Sequence, residues 1–153
     1  MKIKGQKGLT LIELVCAILT TLILALAAGT VLTTSQVSWN RAWVKANLQR
    51  DASYAMLRIS RHIKAGTLAE PENDGKAIKI YKGANWIRFF LEQDSKDLKY
   101  EPKGQTAETI IRGNVEDLQF DVDENKVRVS LMLKKGDLKT HFVSETMIRN
   151  YEK

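Results

Sequence analysis

Apolar and polar positions alternate in three different ways along the chain, and each predicts a different element. Residues 9–32 read LTLIELVCAILTTLILALAAGTVL, an apolar run of 24 residues with one charge, Glu13. As a helix rising about 1.5 Å per residue, this run is roughly 36 Å long, enough to cross a hydrocarbon core of about 30 Å. Beyond it the pattern stays helical but becomes one-sided. Val37, Val44, Leu48, Ala52, Ala55, Ile59 and Ile63 recur at spacings of three, four or seven and form a stripe. Arg41, Lys45, Arg50, Arg58, Arg61 and Lys64 fall on the polar side, where a solvated face is expected. Lys64, Gly66 and Pro71 are stop signals. One helix is therefore expected over 9–65, its first half in the membrane and its second half packed on a globular domain.

After a loop containing Pro71 and Gly75, the period changes to two. Strands are expected at 77–82, 86–93, 97–101, 109–112, 115–122, 126–133 and 140–148. Gly83-Ala84-Asn85, Asp123-Glu124-Asn125 and Gly136-Asp137 separate neighbouring runs by hairpin-length turns, so the sheet is expected to be largely antiparallel. One face of such a sheet must be covered, and residues 33–65 supply the only helix to cover it. The fold class expected is α+β: a long N-terminal helix, transmembrane then amphipathic, on an antiparallel β domain. Its parts are a leader at 1–8, a membrane helix at 9–32, the amphipathic half at 33–65 and the β domain at 66–153.

Charge refines this picture only at the N-terminus. The formal charge is +6 over 153 residues. Residues 1–8 hold three lysines, 41–64 hold six basic residues against one acid, and 66–153 hold fifteen basic against sixteen acidic. That dispersal gives no electrostatic footprint for direct nucleic-acid binding. Lys2, Lys4 and Lys7 directly precede the apolar run, so the positive-inside rule keeps the N-terminus cytoplasmic and exports the rest. The single cysteine, Cys16, lies inside the run, which excludes an intramolecular disulfide or a thiolate metal cluster.

Glu13 separates three readings of the apolar run. A cleaved secretory signal fits its basic start, with Ala25-Leu26-Ala27 as a small-residue cut site, but its core is too long and carries a carboxylate. A plain signal anchor explains length and orientation without explaining Glu13. A carboxylate in a membrane helix is by default a sign of a partner charge.

Lys7-Gly8-Leu9-Thr10-Leu11-Ile12-Glu13-Leu14 resembles the processing site of type IV prepilins and type II secretion pseudopilins. In that family a membrane-embedded aspartyl peptidase cuts after the glycine on the cytoplasmic side and N-methylates the new first residue. The resemblance implies cleavage between Gly8 and Leu9, methylation of Leu9, and an assembly role for Glu13. As the fifth residue of the mature helix, Glu13 would meet the free amine of a neighbouring subunit, a pair that sets the stagger between helices. Leu9 stands where phenylalanine is usual, no proline kinks the first half of the helix, and the C-terminal cysteine pair of many major pilins is absent. The helix segment 50–66 and the runs 115–122 and 127–131 look more like minor W-type pilins or J-type pseudopilins than major subunits. The resemblance thus implies a minor pilin or pseudopilin that initiates or caps a short filament in a pilus, secretion or DNA-uptake machine. Its implied partners are prepilin peptidase, sister pilins, the membrane, and the assembly platform with its ATPase.

No other constellation suggests chemistry, so neither an enzyme nor a cofactor is expected. His62 and His141 are expected to be structural or surface residues, without a nearby serine or cysteine arrangement that suggests a triad. No phosphate loop or zinc spacing is present. Asp121, Asp123, Glu124 and Asn125 gather oxygen ligands at a turn, but without the spacing and glycine of a calcium loop, and read as a charged hairpin rather than a metal site. A membrane-tethered sensor or binding domain that never polymerises is the rival reading.

Overall fold

The computed structural model describes residues 10–149. Helix α1 (Leu11–Ala65) is followed by strands β1 (Leu68–Glu72), β2 (Ala77–Lys82), β3 (Asn85–Glu92), β4 (Asp97–Pro102), β5 (Glu108–Ile111), β6 (Val115–Asp123), β7 (Lys126–Lys135) and β8 (Leu138–Met147). The chain divides into two compact units, Met1–Ala42 and Trp43–Lys153. The class is α+β with a pilin-like layout, an N-terminal helix packed against antiparallel sheets.

The helical stripe is the covering face of the second unit. Leu48, Ala52, Ala55, Ile59 and Ile63 are buried and Val44 packs beside them, so the periodicity identified the contact face. Val37 departs from this pattern and is 53% exposed. The alanines leave room for Ile78, Ile80, Phe89 and Leu98 of one sheet and for Leu118, Phe120, Val129 and Leu131 of the other, all in one cluster. Burying each large side chain contributes about 1.5–3 kcal/mol. Thr146 of β8 donates to Ser60 Oγ at 3.1 Å, a polar tie between the helix and the second sheet.

Two sheets form where the sequence suggested one: β1-β2-β3-β4-β5 and β6-β7-β8, every neighbouring pair antiparallel. The break falls between β5 and β6. There the buried Asp97 accepts a 2.7 Å hydrogen bond from Gly113 N–H, and Val115 N–H donates to Lys96 O at 3.1 Å. These bonds satisfy the turn and redirect the chain into the second sheet.

The expected loop around Pro71 is instead strand β1, with Pro71 opposite Ile78. A proline is tolerated there because β1 is an edge strand, where an N–H on the open side has no partner to lose. The β1–β2 turn then closes onto the second sheet. Phe120 N–H donates to Gly75 O at 2.7 Å, and Gln119 Nε2 donates to Asp74 O at 3.0 Å. Gly75 has φ +82°, and a Cβ would lie 2.7 Å from Phe120 O, so no other residue fits without strain. Gly66, expected as a conformational helix stop, serves by its size: a Cβ would lie 2.6 Å from Ile80 Cγ2.

Candidate functional site

Within the first unit, residues 10–42 form the apolar surface on which a membrane role would rest. All of them are exposed, from Leu11 at 82% through Ile18, Leu22 and Leu26 to Leu32. The helix carrying them is long and apolar enough to cross a membrane. An apolar surface this large, uncovered among the described residues, is compatible with contact with lipid or with other helices.

Five threonines in or just beyond the run conflict with its apolar character, and local bonding removes the conflict. Thr20, Thr21, Thr30, Thr33 and Thr34 each donate the hydroxyl to a backbone carbonyl three or four residues earlier, at 2.8–3.2 Å. A hydroxyl satisfied by its own helix needs no water, so these positions are compatible with hydrocarbon. Cys16 is an exposed free thiol on the same surface.

Glu13 sits in the first turn of α1 and has a partner that sequence reasoning did not assign. Its Oε2 accepts from Thr10 N–H at 2.9 Å and from Thr10 Oγ1 at 2.8 Å, while Glu13 N–H lies 3.4 Å from Thr10 Oγ1. This is a capping box, in which the residue before the helix and the third residue within it satisfy each other's open donors. The signal was present in the sequence as Thr-x-x-Glu before an apolar run. Glu13 therefore fixes where the helix begins, whatever else it meets. Lys2, Lys4, Lys7, Gly8 and Leu9, the expected leader charges and processing site, lie outside the described residues.

The second unit contains two further clusters. His62 is half-buried, with ring centroids 5.7 Å from Phe89 and 5.3 Å from Tyr100, and Arg58 lies over Tyr100 at 4.4 Å. Arg58, expected to be solvated, instead makes a 2.7 Å ion pair with Glu108 and fastens the helix to β5. Burial first, then the positive charges of Arg58, Arg61 and Lys82, push the His62 pKa down.

His141 has a serine neighbour that its place in the sequence does not reveal: Ser130 Oγ lies 2.7 Å from His141 Nε2. The strand register hid the pair, because β7 and β8 align Met132 with His141 and place Ser130 diagonally across. The two lie on an exposed sheet face, and among the described residues no carboxylate bonds the ring to complete a triad. Asp121 and Asp123 stand opposite Arg128 and Lys126 across β6–β7, and Arg128 also pairs with Glu145 at 3.4 Å. This is a charged hairpin with cross-strand bases, and the described residues contain no cluster of three or more metal-ligating side chains.

Comparison with protein-family models, with curated proteins and with solved structures found no match to this chain. The fold itself supports the coarser conclusion: an α+β chain with one N-terminal helix able to cross a membrane and a β domain, a layout compatible with pilin-like or membrane-anchored proteins.

Proposed function

We propose that this chain is a minor pilin or pseudopilin, made as a precursor, cut after Gly8 and assembled into a short filament through its apolar helix. The observation that carries this reading is the octapeptide Lys7 to Leu14 at the head of an exposed apolar helix that leads into a helix-covered β domain. Gly8 offers no side chain to obstruct a protease at the membrane face. The N-terminus faces the cytoplasm and the β domain lies outside, as Lys2, Lys4 and Lys7 require. Assembly is mechanical: subunits leave the bilayer of the cell membrane and bury their apolar helices against one another, while the β domains select neighbours. The partners are a prepilin peptidase, sibling pilins and, indirectly, the assembly platform and its ATPase. No catalysis and no direct nucleic-acid contact belong to this function.

One observation favours a second reading. The capping box satisfies Glu13 within its own chain, so a membrane-tethered binding domain that never polymerises accounts for the carboxylate as a helix cap. Mass spectrometry of the N-terminus in cells containing a prepilin peptidase tests the proposal. The expected product begins at Leu9 and carries an added methyl group, and an intact Met1 would refute processing.

A further inference from the structure

The last turn of α1 and the β2–β3 hairpin enclose a cleft of about 300 Å³ lined by Arg61, His62, Ile80, Lys82, Trp86 and Ile87. Its wall is apolar: Ile80 is buried, and Trp86 and Ile87 are half-buried. Two cations, Arg61 and Lys82, stand exposed beside that wall. Neither forms an ion pair among the described residues, whereas Arg58, Lys79, Arg88 and Lys99 on the surrounding elements are all paired with glutamates.

Basic residues in a last helical turn complement the helix dipole, which accounts for Arg61 and Lys64. It does not account for Lys82, which the β2–β3 register places at the mouth of the hairpin opposite Asn85. Burial is the main cause of the lowered His62 pKa, and the further push from Arg58, Arg61 and Lys82 agrees with a positive field in the cleft. The volume is at the lower end for a ligand site, enough for one or two side chains. An apolar slot with two cations at its edge, unpaired among the described residues, matches a carboxylate next to a large apolar group. Arginine can hold such a carboxylate through two parallel hydrogen bonds.

We propose that this cleft docks an acidic peptide segment of another protein chain, its carboxylate held by Arg61 and Lys82 and its apolar neighbour laid against Ile80, Trp86 and Ile87. The proposal rests on the filament reading only for the donor, a sibling subunit. The contact is heterologous, one surface of this chain on a different surface of the next, which is the type that builds open filaments and ordered tips.

The test uses the full chain in lipid nanodiscs and a dye-labelled peptide of alternating aspartate and phenylalanine, read by fluorescence anisotropy at low salt. Saturable binding is expected, weakened roughly tenfold or more by Arg61→Glu with Lys82→Glu and by added salt. Lys64→Glu, at the same helix end but outside the cleft lining, is expected to leave it within about twofold. Matching thermal midpoints establish that the variants fold. Equal binding to the charge-reversed cleft, or to a peptide with asparagine for aspartate, overturns the proposal. Displacement by inorganic phosphate as complete as by unlabelled peptide identifies a simple anion site and also overturns it. Self-association of the unliganded chain that the double variant abolishes assigns the cleft to a second copy, with the same consequence. N-terminal processing is scored separately, so a failed cleft with a correctly cut Leu9 leaves the filament reading standing, and the converse leaves the cleft.

Discussion

Replacing Glu13 by glutamine separates the two roles that this carboxylate can have, because a capping box accepts either side chain. In the structure one oxygen, Oε2, takes both bonds from Thr10, at 2.9 and 2.8 Å. The amide oxygen of glutamine can take the same two bonds, so the helix start survives while the charge is lost. Thr10→Ala does the reverse: it deletes the hydroxyl that donates to the carboxylate and keeps the charge. The loss of such a cap costs about 1 kcal/mol of helix stability, a local fraying that lipid and neighbouring helices can absorb. If a neighbouring amine pairs with the carboxylate, filament yield should fall tenfold or more with Glu13→Gln, as expected when one partner of a desolvated ion pair is removed. Thr10→Ala should stay within about twofold of wild type, since both charges of that ion pair are still in place. The assay is the sheared-filament fraction, normalised to the mature protein left in the membrane. Equal filament yield for Glu13→Gln, with loss only in Thr10→Ala, would show that Glu13 acts as a cap and would remove the electrostatic basis of assembly.

Three further outcomes test the β domain. Gly75→Ala forces a side chain into a left-handed turn and against Phe120 O, and the two costs together should destabilise the domain by about 3 kcal/mol in chemical unfolding. A loss under about 0.5 kcal/mol would mean that the turn is free to move off β6. Asp97→Ala leaves the Gly113 N–H without its acceptor and should cost about 1–3 kcal/mol, while Asp97→Asn should cost visibly less; equal losses would refute the acceptor role. His62 has a depressed pKa in the fold, so between its folded and unfolded values the unfolded chain binds more protons. Its contribution is fully present above the ordinary histidine value of about 6.5 and is lost as pH falls through the lower folded value. The thermal midpoint should therefore drop as pH falls below about 6.5. His62→Gln should flatten that slope, and an unchanged slope would place its origin elsewhere.

The helix and most of the strands were legible because they are set by local periodicity. The apolar run, the stripe from Leu48 to Ile63 and the two-residue alternation of Val127, Val129, Leu131 and Leu133 each state which face is buried without reference to any partner. The Glu13 cap is equally local, written as Thr-x-x-Glu, but a carboxylate at the head of a greasy helix draws attention to distant charges instead. Pro71 misleads because its tolerance depends on β1 being an edge, which is a property of strand order and not of the residue. The division into two sheets, the Gly75 contact with β6, the Arg58–Glu108 pair and the meeting of Arg61 with Lys82 all join positions remote in sequence. Short-range sterics and hydrophobic period are encoded residue by residue, whereas these contacts exist only once packing has chosen which surfaces meet. The sequence by itself therefore determined the elements and their buried faces, and the tertiary structure alone decided their neighbours.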